Sequence, residues 1–196
     1  MVTIYTLCDD DFLGTNCYVV KTEKGCIVID PCVPLEDVQQ RVGDCPIVAV
    51  LLTHAHVDHV LYLQMYKEKG IPVYLHEADN AAMGDPELNL SSDLLETMTF
   101  PAADHLIREG DRLSLAGLDI EVLHTPGHTP GSVCFRIGDD LFSGDTLFRL
   151  GYGRVDFPGG NVSDMAASLK RLKKLPGQTR VYPGHGGPTT IAREQW

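Results

Sequence analysis

The feature that most constrains this chain is a junction. Residues 45–53 (CPIVAVLLT) form a continuous apolar run that ends directly in Thr53-His54-Ala55-His56-Val57-Asp58-His59. An unbroken apolar run of that length suits a strand buried on both faces, as in a parallel sheet covered by helices. Beyond it, Asp58 to Lys69 carries Val60, Leu61, Leu63, Met65 and Tyr66 on helical offsets and closes at Gly70, a helix C-cap. IPVYLH (71–76) reads as a further strand, so strand–helix–strand places the chain in the α/β class. Four metal-ligating side chains therefore stand where a buried strand gives way to a helix. In extended backbone, residues two apart point to one face, so His54 and His56 can grip one cation together. Asp58 and His59 lie in the first helical turn, aim elsewhere and can serve a second cation. The helix N-terminus favours an ionised Asp58.

Three later motifs complete a ligand set. Thr125-Pro126-Gly127-His128-Thr129-Pro130-Gly131 freezes one histidine between two Pro-Gly pairs. Ser143-Gly144-Asp145-Thr146 puts a carboxylate just past an apolar strand, and Tyr182-Pro183-Gly184-His185-Gly186 holds another histidine in a Pro/Gly turn. Each is weak alone, but all lie at strand ends and offer the N and O donors that suit zinc, iron or manganese. The set implies two divalent metal ions, with zinc the first choice. His54, His56 and His128 would hold the first, Asp58, His59 and His185 the second, and Asp145 would bridge them. Two such ions about 3.5–4 Å apart clamp a hydroxide and lower its pKa toward neutrality, so no serine or cysteine nucleophile is needed.

The remaining chain reads as strands over 2–7, 16–21, 26–30, 111–117, 118–125, 132–138, 140–144 and 179–187, with helices over 34–42 and 162–175. Residues 81–103 are only weakly periodic. A single domain over 1–196, a layered α/β sandwich, is the expectation. Lysine and arginine number 16 against 27 acids, a net charge of −11, which speaks against nucleic acid as a partner. No apolar run approaches the ~18 residues of a membrane span. The opening MVTIYTLCDDD lacks the basic and apolar regions of a signal peptide, so a cytoplasmic location is expected. The six cysteines show no CxxC spacing and read as reduced thiols.

HAHVDH (54–59), TPGHTPG (125–131), SGDTLF (143–148) and YPGHG (182–186), in this order, resemble the metallo-β-lactamase superfamily, and specifically its glyoxalase II-like hydrolases. GYGRVD (151–156) is similar to the small bacterial members. The resemblance implies a four-layer αββα sandwich with a dinuclear site at one edge of its two sheets. It implies the ligand roles given above, a metal-bridging hydroxide as nucleophile, Asp58 as the catalytic residue that aims it, and a small-molecule thioester as substrate. Full-length glyoxalase II enzymes continue into a helical domain with cationic contacts to glutathione. Only residues 186–196 follow His185, so that domain is expected to be missing. Arg154 stands where the family carries a basic residue after GDTLF, and it is expected, with Tyr152, to line the substrate pocket. No membrane partner is expected, and the chain is taken as a monomer or homodimer.

A second resemblance leads to a different reaction. Persulfide dioxygenases share HxHxDH, TPGHT and a GRxDF segment, matched here by GRVDF (153–157). They use one iron on residues in positions like His54, His128 and Asp145. Their last motif tends to read PAHD where this chain has PGHG, which favours the hydrolase. A non-catalytic metal-binding module is disfavoured because all seven ligand types are present. Among other residues, His76 is read as a cap, His105 as surface and His124 as structural. Thr53 and Thr146 can orient ligands, and Lys170, Arg171, Lys173 and Lys174 mark a solvated helix face. Met83, Leu88, Leu90, Leu94, Leu95, Met98 and Phe100 form either a lid or a segment packed onto the sandwich.

Overall fold

Along Asn16–Thr22 (β2), Gly25–Ile29 (β3) and Ile47–Leu51 (β4), successive side chains turn to opposite faces, and both faces are covered. Cys17, Val19, Val28 and Val50 face helices, while Tyr18, Val20, Ile27, Ile29 and Leu51 face a second sheet. In the computed structural model, which describes residues 1–8 and 13–194, these strands belong to a six-stranded sheet. Its order is Thr3–Cys8 (β1), β2, β3, β4, Val73–His76 (β5) and His105–Ile107 (β6), antiparallel over β1–β3 and parallel from β3 onward. The second sheet contains Arg112–Leu115 (β7), Leu118–His124 (β8), Val133–Ile137 (β9), Asp140–Gly144 (β10), Arg180–Pro183 (β11) and Thr189–Thr190 (β12). Its order runs from β12 to β7, with only β10 and β11 parallel.

Three separate cores follow from this sorting. Ile120, Val122, Phe135 and Phe142 meet the first sheet between the layers. Leu35–Val42 (α1), Val57–Val60 (α2) and Leu63–Glu68 (α3) cover the outer face of the first sheet through Leu35, Val38, Val60, Leu63 and Tyr66. A short helix, Ser91–Leu94 (α4), lies in the middle segment, and Val162–Leu172 (α5) sets Leu172 against Cys134, Leu141 and Val181. The order of layers is αββα, as the motifs implied. Asn161 caps α5, its Oδ1 accepting from the amides of Ser163 and Asp164.

The differences from expectation are local. The helix expected over 58–69 divides at Leu61–Tyr62, where the Tyr62 amide donates to the Pro31 carbonyl. α5 stops at Leu172, short of 175. β6 and β12 have three and two residues, too few to show a period. The 81–103 segment packs: Met83, Leu90 and Phe100 are buried, and the Val57 amide at the start of α2 donates to the Asn89 carbonyl at 2.8 Å. Leu88, Leu94 and Leu95 remain exposed. No disulfide forms among the described residues, and none of their helices is long and apolar enough to cross a membrane.

If the inter-sheet core holds the layers together, Phe135→Ala lowers unfolding free energy by about 3–5 kcal/mol in urea titration. Leu150→Ala, at a side chain 72% exposed, stays within about 0.5 kcal/mol of wild type.

Candidate metal centre

The C-terminal ends of the central strands meet at one edge of the sandwich. β4 delivers Thr53 and His54, the loop after β8 carries His128, β10 ends before Asp145, β11 before His185, and α2 presents Asp58 and His59. Backbone bonds join the two sheets there: Val133 N donates to Thr53 O at 2.9 Å, and Asn16 N to Gly184 O at 2.7 Å.

Ligand atoms of His54, His56 and His128 lie within 4.8 Å of one another, as do those of Asp58, His59 and His185. A third grouping joins His54 and His59 to Asp145. Asp145 stands between the two triads: Oδ1 is 3.2 Å from His59 Nε2, and Oδ2 is 3.4 Å from His128 Nε2 and 3.5 Å from His185 Nε2. All seven residues singled out by motif are thus brought together.

The outward nitrogens decide how the rings are aimed. His59 Nδ1–H donates to Asp30 Oδ2 at 2.9 Å, and His128 Nδ1–H to the Arg154 carbonyl at 2.7 Å. Thr53 Oγ1 donates to Asp30 Oδ2 at 2.7 Å, which leaves it to accept from His54 Nδ1 at 3.1 Å. Each of these rings therefore turns Nε2 inward, the usual way a ligating histidine is fixed. His56 instead sets Nδ1 2.9 Å from His128 Nε2. Four buried atoms, His54 Nε2, His56 Nε2, His59 Nε2 and Asp145 Oδ1, make no well-formed hydrogen bond, the last two facing each other at 3.2 Å. An unpaired buried polar atom costs about 1–3 kcal/mol, so four in one cluster call for a ligand. A pair of divalent cations fits this donor set.

Comparison with known proteins agrees. Residues 10–185 match the family model of the metallo-beta-lactamase superfamily. The chain belongs to this superfamily. A probable metallo-hydrolase of Bacillus subtilis, YqgX, is 40% identical over 93% of this chain and 90% of its own. The hydroxyacylglutathione hydrolase GloC of Haemophilus influenzae is 34% identical over 92% of this chain and 89% of its own. The crystal structure of TTHA1623 in a di-iron-bound form superposes with a TM-score of 0.85 at 39% identity, covering 96% of each chain.

Several residues that complete this superfamily site were not singled out from sequence. Asp30, at the end of β3 with φ 53°, accepts from Thr53 N (2.8 Å), Thr53 Oγ1 and His59 at once. Its signal was faint: an aspartate closing a buried strand, CIVID, at the same edge. Thr15 Oγ1 donates to Asp58 Oδ2 at 2.7 Å. The loop of His185 is clamped by Asn16 Nδ2, which donates to Pro183 O and Gly186 O, and by Tyr18 OH, which donates to Pro183 O at 2.6 Å. A Cβ on Gly184 would collide with Asp145 Oδ1 and His59 Cε1, so only glycine fits that turn.

The two expected substrate contacts lie outside the cluster. The Arg154 guanidinium pairs with Asp156 at 2.7 Å and covers the Phe157 ring, whose edge meets His56 and His128. Its backbone carbonyl accepts from His128 Nδ1. Tyr152 is 56% exposed and borders a cleft of about 510 Å³ between residues 147–155 and α5, which none of the seven clustered residues lines. The three remaining histidines lie outside the cluster, His105 at the surface as expected. His76 Nδ1 accepts from Ala78 N and its ring stacks on His124, whose Nε2 donates to Pro130 O. His105 stacks on Tyr74. Thr146 Oγ1 pairs with Thr125 Oγ1 and reaches no ligand directly.

Charge is divided unevenly across the cluster. Burial, then the neighbouring imidazoles, holds His54 well below the ordinary histidine range and His56 down at about 3. For His59, burial opposes the charge but Asp58, Asp145 and Asp30 outweigh it and lift the pKa well above the ordinary value. His185 is lifted to about 9, the carboxylates of Asp145 and Asp58 overcoming burial. Burial would raise Asp58, yet His59 and His185 bring it down to about 2. At neutral pH the protein alone thus carries protons on His59 and His185 that a cation must displace. Cation binding should release protons at pH 7, and affinity should rise about tenfold per pH unit for each proton displaced, flattening above about 9. Chelator competition at several pH values, with proton release followed by indicator dye, checks this; a pH-independent affinity would contradict it.

Proposed function

We propose that this chain is a thioester hydrolase of the hydroxyacylglutathione hydrolase kind that works with two divalent cations. The observation that carries the metal chemistry is the pair of convergent triads sharing Asp145, with four buried donor atoms that make no well-formed hydrogen bond. Support for the thioester class comes from the GloC relative, similar over nearly its whole length. Zinc is the proposed metal, with iron as the alternative that the di-iron TTHA1623 supports.

His54, His56 and His128 would hold one cation and Asp58, His59 and His185 the other, with Asp145 common to both. Once bound, the cations supply a water of lowered pKa and a positive field for a carbonyl oxygen. The residues of this chain do the aiming. Asp30 and Thr53 fix the rings of His59 and His54, so the inward nitrogens keep one direction. Asp58 stays ionised at neutral pH, and Thr15 holds its Oδ2, so it is an acceptor ready to orient an attacking water. Arg154, exposed and lying over the Phe157 ring, is proposed to meet an anionic group on the thiol carrier. Tyr152, on the cleft beside α5, is proposed to meet the acyl side.

Purified protein loaded with Zn(II) should release thiol from a panel of acyl-thioesters that includes S-lactoylglutathione. His54→Ala, or removal of metal by a chelator, should cut kcat/KM by at least about 100-fold, or about 2.7 kcal/mol of transition-state stabilisation. Thiol release that is unchanged by either treatment would overturn the reading. So would oxygen uptake with glutathione persulfide in its place.

A further inference from the structure

One buried carboxylate close to the cluster takes no part in the roles above. Asp79 ends the 3₁₀ turn Glu77–Asp79 that follows β5, and it is 1% exposed. No lysine or arginine of the described residues forms an ion pair with it. Its partners are three donors from two other loops. Oδ2 accepts from Ala55 N at 3.2 Å and from Thr129 Oγ1 at 2.7 Å, and Oδ1 accepts from Gly131 N at 2.6 Å. Ala55 is the residue between His54 and His56, and Thr129 and Gly131 follow His128 in its turn.

A buried carboxylate without a cation is an expensive choice for a simple brace. Its use here follows from what it alone can do: a short side chain with two acceptor oxygens and no donor meets three donors at once. The fit is close. A Cβ on Gly131 would lie 2.5 Å from Asp79 Oδ1 and 2.7 Å from its backbone N. Thr129 Oγ1 is further fixed by Ser132 Oγ at 2.7 Å. Asp58, His59 and His185 are held by other groups, namely Thr15, Asp30, Asn16 and Tyr18.

We propose that Asp79 is a positioning residue that sets the angle between the His54–His56 turn and the His128 turn, and thereby governs one cation site and not the other. This rests on reading the cluster as a two-cation centre. Asparagine at position 79 keeps the shape but turns an NH₂ group toward donors, whichever way the amide is flipped.

The test is a chelator-competition titration of the full chain with Zn(II), repeated with Co(II) to follow its absorption spectrum. Wild type should bind two ions. Asp79→Asn should weaken one of them by about 10–100-fold, with a changed Co(II) spectrum, and leave the other within about threefold. The assignment comes from a double-mutant cycle. In a His185→Ala background Asp79→Asn should lower the affinity of the remaining ion by that same factor. In a His56→Ala background it should add less than about threefold. Thr129→Val removes one of the three donors and should act in the same direction, more weakly, and it carries the test if Asp79→Asn does not fold. Equal weakening of both ions, or lost thermal stability with both affinities intact, would make Asp79 a mere brace and overturn the proposal. A wild-type protein that binds no ion would instead overturn the two-cation reading itself.

Discussion

Keeping four buried imidazoles, the half-buried His185 and two buried carboxylates within a few ångströms of one another is the constraint on which this structure depends. Burial disfavours every charge in the cluster, and unpaired nitrogens are costly. The chain meets this by spending other buried polar groups outside the cluster. Asp30 is the clearest case, since it accepts three hydrogen bonds from two segments, Thr53 and His59. The Thr53 hydroxyl, once committed to Asp30, accepts from His54, so one carboxylate fixes two ligand rings. Removing Asp30 would free both rings and take the acceptor from three buried donors. The site and the local stability of β3 and β4 are therefore one network.

The position of the cluster follows from the layers. Strands covered on both faces cannot present polar side chains along their length, so ligands gather where the strands stop. Loops at that edge are the natural carriers of function, but loops are also the most mobile parts of a domain. Here they are tied across the sheets by main-chain bonds, Val133 to Thr53 and Asn16 to Gly184, and the absence of a side chain at Gly184 lets the His185 turn press against Asp145. A rigid frame of this kind holds the donor atoms close together, with only His56 and His128 joined by a direct ring-to-ring hydrogen bond.

Sequence made the ligands legible because their chemistry is local. His54, His56, Asp58 and His59 fall within one strand end and one helical turn, and Pro-Gly pairs mark His128 and His185. The layered fold was legible for the same reason, since continuous apolar runs such as 47–51 declare strands buried on both faces. What sequence hid are the partners that act over distance. Asn16 reaches Pro183 across 167 residues and Asp79 reaches Gly131 across 52, with no pattern to announce either pair. Arg154 also has a role that sequence did not show: Asp156, two residues on, pairs with its guanidinium, and its backbone carbonyl accepts from His128. The break in the helix at Leu61–Tyr62 was equally hidden, because the Pro31 carbonyl that takes the Tyr62 amide lies outside the helical segment.

The two triads are not equivalent, and their difference is written in protons. Burial keeps His54 and His56 neutral, so both are already in the form that a cation requires. The other triad contains Asp58, ionised, with His59 and His185 protonated against the surrounding carboxylates. There the protein supplies its own positive charge, and a metal must compete with it. The carboxylates that attract a cation to this side are the same ones that hold the competing protons. Asp145 faces both triads, its charge shared between His59, His128 and His185. A centre built in this way is asymmetric before anything binds: burial disfavours the charge on His54 and His56, while the carboxylates favour it on His59 and His185.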